Sequence, residues 1–128
     1  MSYGYDEFLS LLGMTEAEVQ KLMAGLPSPV PNPEVDSAFA LGPSPISGYG
    51  LWSRCEIPAG GRFPVCQGAT RYLTARYINH SDTPSMAFDF DASGGGWATA
   101  LYDLPARFEV TADYRDTFRK SLAASKLP

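Results

Sequence analysis

The stretch Arg76-Tyr77-Ile78-Asn79-His80-Ser81-Asp82-Thr83-Pro84 holds the one histidine of the chain, flanked by an amide and a hydroxyl. A neutral imidazole offers one donor and one acceptor, and a primary amide offers both kinds as well. Asn79 and His80 together can therefore bind a polar ligand. The same residue types also satisfy backbone groups in a tight turn, which suffices for an isolated Asn-His-Ser. A second stretch, Ser44 to Phe63, carries Gly48-Tyr49-Gly50. Two such glycines let backbone approach a ligand closely, or simply make a turn into a strand. A third stretch, Asp103 to Tyr114, ends in a phenol that either serves a site or faces solvent from a sheet. Cys55 and Cys66 are too few for a disulfide framework or a zinc site, so no metal is expected; they read as half-buried thiols, or as a pair facing each other on adjacent strands.

These residues need elements to position them. Residues 1–26 read as two short helices: Phe8, Leu11 and Leu12 at helical spacing before Gly13, then a Thr15/Glu18 capping box with a Met14/Val19 staple, ending at Gly25. The face Val19, Leu22, Met23 suits packing against the main body, and no basic recognition face accompanies it. Six of the eleven prolines fall between residues 27 and 46. Residues 27–36 are therefore expected to form an extended, semi-rigid strap. From Ser37 onward short strands alternate with turns: 37–41, 50–55 and 62–66, with Ile57-Pro58-Ala59-Gly60-Gly61 as a turn between the last two. Met86-Ala87-Phe88-Asp89-Phe90 alternates, and Ser93–Gly96 turns it into Trp97–Tyr102 as a hairpin. A strand near Glu109–Thr111 leads into a C-terminal helix from Tyr114, with Phe118 and Leu122 as its apolar stripe. The expected fold is mostly β with flanking short helices.

With 128 residues, 45% apolar and 19% charged, the chain suits one globular domain able to fold without disulfides or metals. A net charge of −4 argues against gripping phosphate backbones, so no direct nucleic-acid partner is expected. Gly, Pro and Ser break every uncharged stretch, and the N-terminus lacks a basic start and apolar run. No membrane span or secretion signal is expected, and the cytoplasm is the default location.

Taken in order, the three stretches resemble a SET domain, the β-rich fold of S-adenosylmethionine-dependent protein-lysine methyltransferases. The resemblance covers residues 37–118 and rests chiefly on Arg76 to Ser81 and Pro84. Residues 119–128 then form the end of the helix and a tail. It implies a SET-domain β-fold with a C-terminal pseudoknot, in which the 76–84 loop interlocks with the segment ending at Tyr114. It also implies S-adenosyl-L-methionine as cofactor, contacted by Ser47, Gly48, Tyr49, Tyr77, Asn79, His80 and Tyr114. Tyr114 would be the catalytic residue, orienting a neutral lysine amine. Phe88 and Tyr102 would wall the lysine channel, with Tyr72 and Tyr77 as further candidates. The partner would be a protein or peptide bearing a lysine.

Three departures from the family pattern stand out. Arg107 and Phe108 replace the Gly-Glu that precedes Glu109, and Arg107 is expected to change the backbone at that turn. Ser85 replaces an Asn, and Ala112 replaces a common aromatic, which would widen the channel. The altered turn motivates an alternative: a catalytically inactive SET-like module that binds a lysine-containing peptide. The helical pair at 1–26 could cover the site, dock substrate or make a homodimer.

Overall fold

The computed structural model describes residues 29–125 and, before them, only 15 and 17. The expected helical pair over 1–26, with its capping box and staple, lies outside the described residues. So does the side chain of Leu122.

Within the expected strap of residues 27–36, a helix starts at Pro33. Asn32 Oδ1 accepts the amides of Glu34 and Val35 at 3.0 and 3.2 Å, starting α1 (Pro33–Ala38). Pro33 occupies the first helical turn, where its missing N–H leaves no bond unmade. A proline read as a helix breaker is here a helix starter. The strand expected from Ser37 accordingly begins at Phe39.

Eight strands follow: β1 (Phe39–Pro43), β2 (Tyr49–Ser53), β3 (Arg62–Gln67), β4 (Thr70–Arg71), β5 (Asn79–His80), β6 (Met86–Phe90), β7 (Gly95–Ala100) and β8 (Glu109–Ala112). A 3₁₀ turn (Leu73–Ala75) precedes β5, and α2 (Tyr114–Ser125) follows β8. The strands form one mixed sheet in the order β1-β2-β8-β6-β7-β3-β4, with β5 also paired to β8. Thus the fold is β-rich with short helices.

The hairpin β6–β7 runs from Met86↔Ala100 to Phe90↔Gly96. Its turn starts earlier than Ser93, because Asp91 Oδ1 accepts the amides of Ser93 and Gly95 at 3.0 and 2.7 Å. Pro64 sits within β3 because a bulge between Pro64 and Cys66 relieves the ladder there. Val35, Phe39, Leu51, Met86, Leu104 and Val110 are fully buried and anchor the core. Each large apolar side chain so buried contributes about 1.5–3 kcal/mol relative to exposure.

The placement of β8 matters most for the site. Late in sequence, it inserts at the centre of the sheet, antiparallel to β2 (Leu51↔Val110, Trp52↔Glu109). It runs parallel to β5 (Asn79↔Thr111, His80↔Ala112) and touches β6 at Met86↔Ala112. Buried Ser85 and Thr111 lock this junction reciprocally: Thr111 N donates to Ser85 Oγ at 2.9 Å and Ser85 N to Thr111 Oγ1 at 3.2 Å. Helix α2 then packs across β6, and Lys120 bridges Asp89 and Asp116 at 3.5 and 3.2 Å. Phe118 stays 42% exposed, so it covers less of the sheet than its place in the stripe suggested. Among the described residues, no helix is long and apolar enough to cross a membrane.

Candidate functional site

Strand β8 brings the three chemistry-bearing stretches together. Asn79 lies on β5 with its amide aimed at the turn between β1 and β2. Its Nδ2 lies 3.2 Å from both the Ser47 and the Tyr49 carbonyl oxygens, 3.1 Å from Ser44 Oγ and 2.9 Å from Glu109 Oε2. Four oxygen acceptors therefore crowd one nitrogen that has only two protons to donate. Ser44 Oγ reaches both oxygens of Glu109 at 2.9 and 2.7 Å.

This crowding explains one of the two glycines. A Cβ at Gly50 would collide with the Glu109 carboxylate and stand 3.1 Å from the Ser44 Cβ. Only a residue without a side chain leaves the carboxylate in place. Gly48 differs: its φ of +47° needs a left-handed backbone, and the space a Cβ would fill is open. Ser47, Gly48 and Tyr49 are all exposed, so this loop presents its surface outward.

His80 faces the start of α2. Its Nδ1 accepts the Tyr114 backbone N–H at 3.0 Å, which fixes the tautomer with the proton on Nε2. Nε2 then donates to Asp82 Oδ1 at 3.1 Å. The rings of His80 and Tyr114 lie 5.1 Å apart. The Tyr114 hydroxyl donates to the Ile78 carbonyl at 2.8 Å, so the phenol turns inward to the 76–84 loop and not to solvent.

Asp113 starts α2: its Oδ1 accepts the Arg115 amide at 2.9 Å, and its carbonyl accepts the Thr117 amide at 3.0 Å. Burial pushes the Asp113 carboxyl up, but hydrogen bonds from the Arg115 side chain and amide, with the guanidinium charge, hold it below the usual range. The Arg115 guanidinium also reaches Asp82 at 3.4 Å, tying helix and loop together.

At the turn before β8, Arg107 takes a left-handed backbone with φ +60°, a conformation that glycine adopts without strain. Ser53 holds it there. Arg107 N donates to Ser53 O at 2.8 Å, Phe108 N donates to Ser53 Oγ at 3.0 Å, and Ser53 Oγ donates to Pro105 O at 2.7 Å.

The remaining expected residues fall elsewhere. Phe88 is buried in the core, edge-on to Phe90 at 6.3 Å. Tyr102 is 45% exposed, just after β7. Tyr77 is half-buried beside Ile78, with the Arg76 guanidinium 5.5 Å from its ring. Cys55 is exposed, and burial raises the pKa of the half-buried Cys66; both are free thiols. Two surface clefts, of about 410 and 310 Å³, are lined around Pro29, Phe39 and Leu41 and around Cys55, Ile57 and Phe63; the Asn79 cluster lines neither. Among the described residues, no group of three His, Cys, Asp or Glu side chains is placed to hold a metal ion.

Sequence reasoning missed Ser44 and Glu109 as parts of the site. The available signal was Glu109 itself, an acid retained directly after two changed positions, with Gly50 giving it room.

No protein-family model and no curated protein matches this chain. A solved structure of a Plasmodium falciparum protein described as a proposed histone methyltransferase is similar over 59% of this chain and 96% of its own length, with 15% identity and a TM-score of 0.49.

Proposed function

We propose that this chain is a SET-type methyltransferase that transfers a methyl group from S-adenosylmethionine to a lysine side chain of a protein or peptide. One observation carries this reading. Three stretches separated by up to about 70 residues of sequence, 44–50, 76–84 and 103–114, meet through Asn79, His80 and Tyr114. A turn needing only internal satisfaction would not require all three.

The residues present fit the cofactor. The four acceptors around Asn79 Nδ2 outnumber its protons, which leaves acceptor capacity for a cationic group such as an ammonium. The exposed 47–49 backbone and Asn79 would hold that end of the ligand, and His80 would fix the loop behind it. When bound, the cofactor supplies an electrophilic methyl group on a sulfonium.

The rest of the chemistry belongs to the chain. Because the Tyr114 proton is committed to Ile78 O, the phenol oxygen acts as an acceptor and orients an amine N–H. The half-buried Tyr114 ring would give an entering lysine a partly desolvated face, which disfavours the ammonium form and favours the neutral nucleophile.

The test is methyl transfer to an array of lysine-containing peptides, read by mass spectrometry, for the parent and Tyr114→Phe. The expected result is methylated product in the parent and a loss of about 100-fold in the variant, with cofactor binding retained. Cofactor binding without any product in the parent would favour the binding module instead.

A further inference from the structure

Loop 44–48 with Tyr49 has little apolar packing to hold it. Ile46 is 50% exposed and Tyr49 61% exposed, so burial does not set their positions. Its conformation rests on polar ties, and these share one root. Ser44 N donates to Gly48 O at 2.9 Å, and Ser44 Oγ accepts the Ile46 amide at 3.0 Å. That same hydroxyl gives its proton to Glu109, while Asn79 Nδ2 spans from Glu109 to the Ser47 and Tyr49 carbonyls. Glu109 itself is fixed by β8, opposite Trp52, above the space kept open by Gly50.

We infer that Glu109 is a positioning residue. Its carboxylate, acting through Ser44 and Asn79, holds the 44–49 loop in the shape that receives the cofactor. The charge state is essential to the role. A carboxylate only accepts, and here it faces two donors, the Ser44 hydroxyl and the Asn79 amide. A glutamine of the same shape replaces one oxygen with an N–H donor. With its N–H at the Oε2 position the amide opposes Asn79 and that tie is lost; with its N–H at the Oε1 position it competes with the Ile46 and Asn79 amides for the two lone pairs of Ser44 Oγ. Only the last step, from loop shape to cofactor, rests on the proposed function.

The test compares the full-length parent with Glu109→Gln by amide hydrogen exchange and by calorimetric titration with S-adenosylhomocysteine. In the variant, the Ile46 and Ser47 amides should exchange at least about tenfold faster, as expected for loss of a charge-assisted bond. The Ala98 and Ala100 amides in β7 should be unchanged, which a general loss of stability would not give. The dissociation constant for S-adenosylhomocysteine should rise by about the same factor. Unchanged exchange at Ile46 and Ser47 would overturn the inference whatever the ligand result. Faster loop exchange, in a protein whose parent binds no S-adenosylhomocysteine, would uphold the positioning role and remove the cofactor reading instead. Glu109→Asp, which keeps the charge but draws it back from Ser44 and Asn79, gives the same loop readout if Glu109→Gln fails to fold.

Discussion

Arg107 occupies a conformation that glycine adopts without cost. At φ +60° its Cβ crowds the following carbonyl, a strain of about 1–2 kcal/mol for an L-residue. The Ser53 bonds to the 105–108 turn compensate, and the side chain itself is exposed. Arg107→Gly should therefore stabilise the protein by about 1 kcal/mol, after part of the relief is offset by the greater freedom of glycine in the unfolded chain. Urea unfolding measures this. A loss of stability on that substitution would mean the arginine makes a contact that outweighs its strain. The sequence showed that a glycine was missing here, but a residue type does not reveal whether the backbone yields or endures. Three bonds from a serine over fifty positions away decide that question. His80 was legible only in part for the same reason: its type suggested donors and acceptors, while its tautomer depends on a backbone amide of residue 114.

Among the elements, the beginnings of helices carry clear local signals. Asn32-Pro33 is a cap followed by a proline in the first turn, yet the surrounding prolines suggested an extended strap. The β6–β7 hairpin was legible because alternating burial is a local pattern. The pairing of β5 with β8 was not, since two residues of parallel ladder leave no periodic trace. Helix α2 depends on its cap, and Asp113 should show it. Asp113→Ala is expected to cost about 1 kcal/mol of stability. The pH dependence follows from the direction of its shift. The folded carboxyl lies below its usual value of 3.8, so its contribution is present above that pH and is lost as pH falls through the lower folded value. Asp113→Asn keeps a capping oxygen but has no carboxylate to protonate. Acid unfolding of that variant should lack the part of the transition below about pH 4 that the parent shows. Equal acid profiles for the two proteins would contradict the Arg115 pairing as the cause.

At the scale of the whole molecule, the insertion of β8 at the sheet centre links fold to site. It sets Glu109 beneath the loop at 44–49, Thr111 beside Asn79, and Tyr114 beside His80. The motifs were visible in sequence as separate stretches, and the resemblance supplied an order for them. Their convergence could not be read from spacing, because no local pattern states which strand a late segment joins. The central claim is that this convergence makes a cofactor site, and calorimetric titration of the purified protein with S-adenosylhomocysteine tests it most directly. The account predicts saturable binding at one site per chain, weakened in Asn79→Ala, because that amide joins the loop to β5. Absence of binding at high ligand concentration would contradict it, and would leave Asn79 and His80 as the polar ties of a turn.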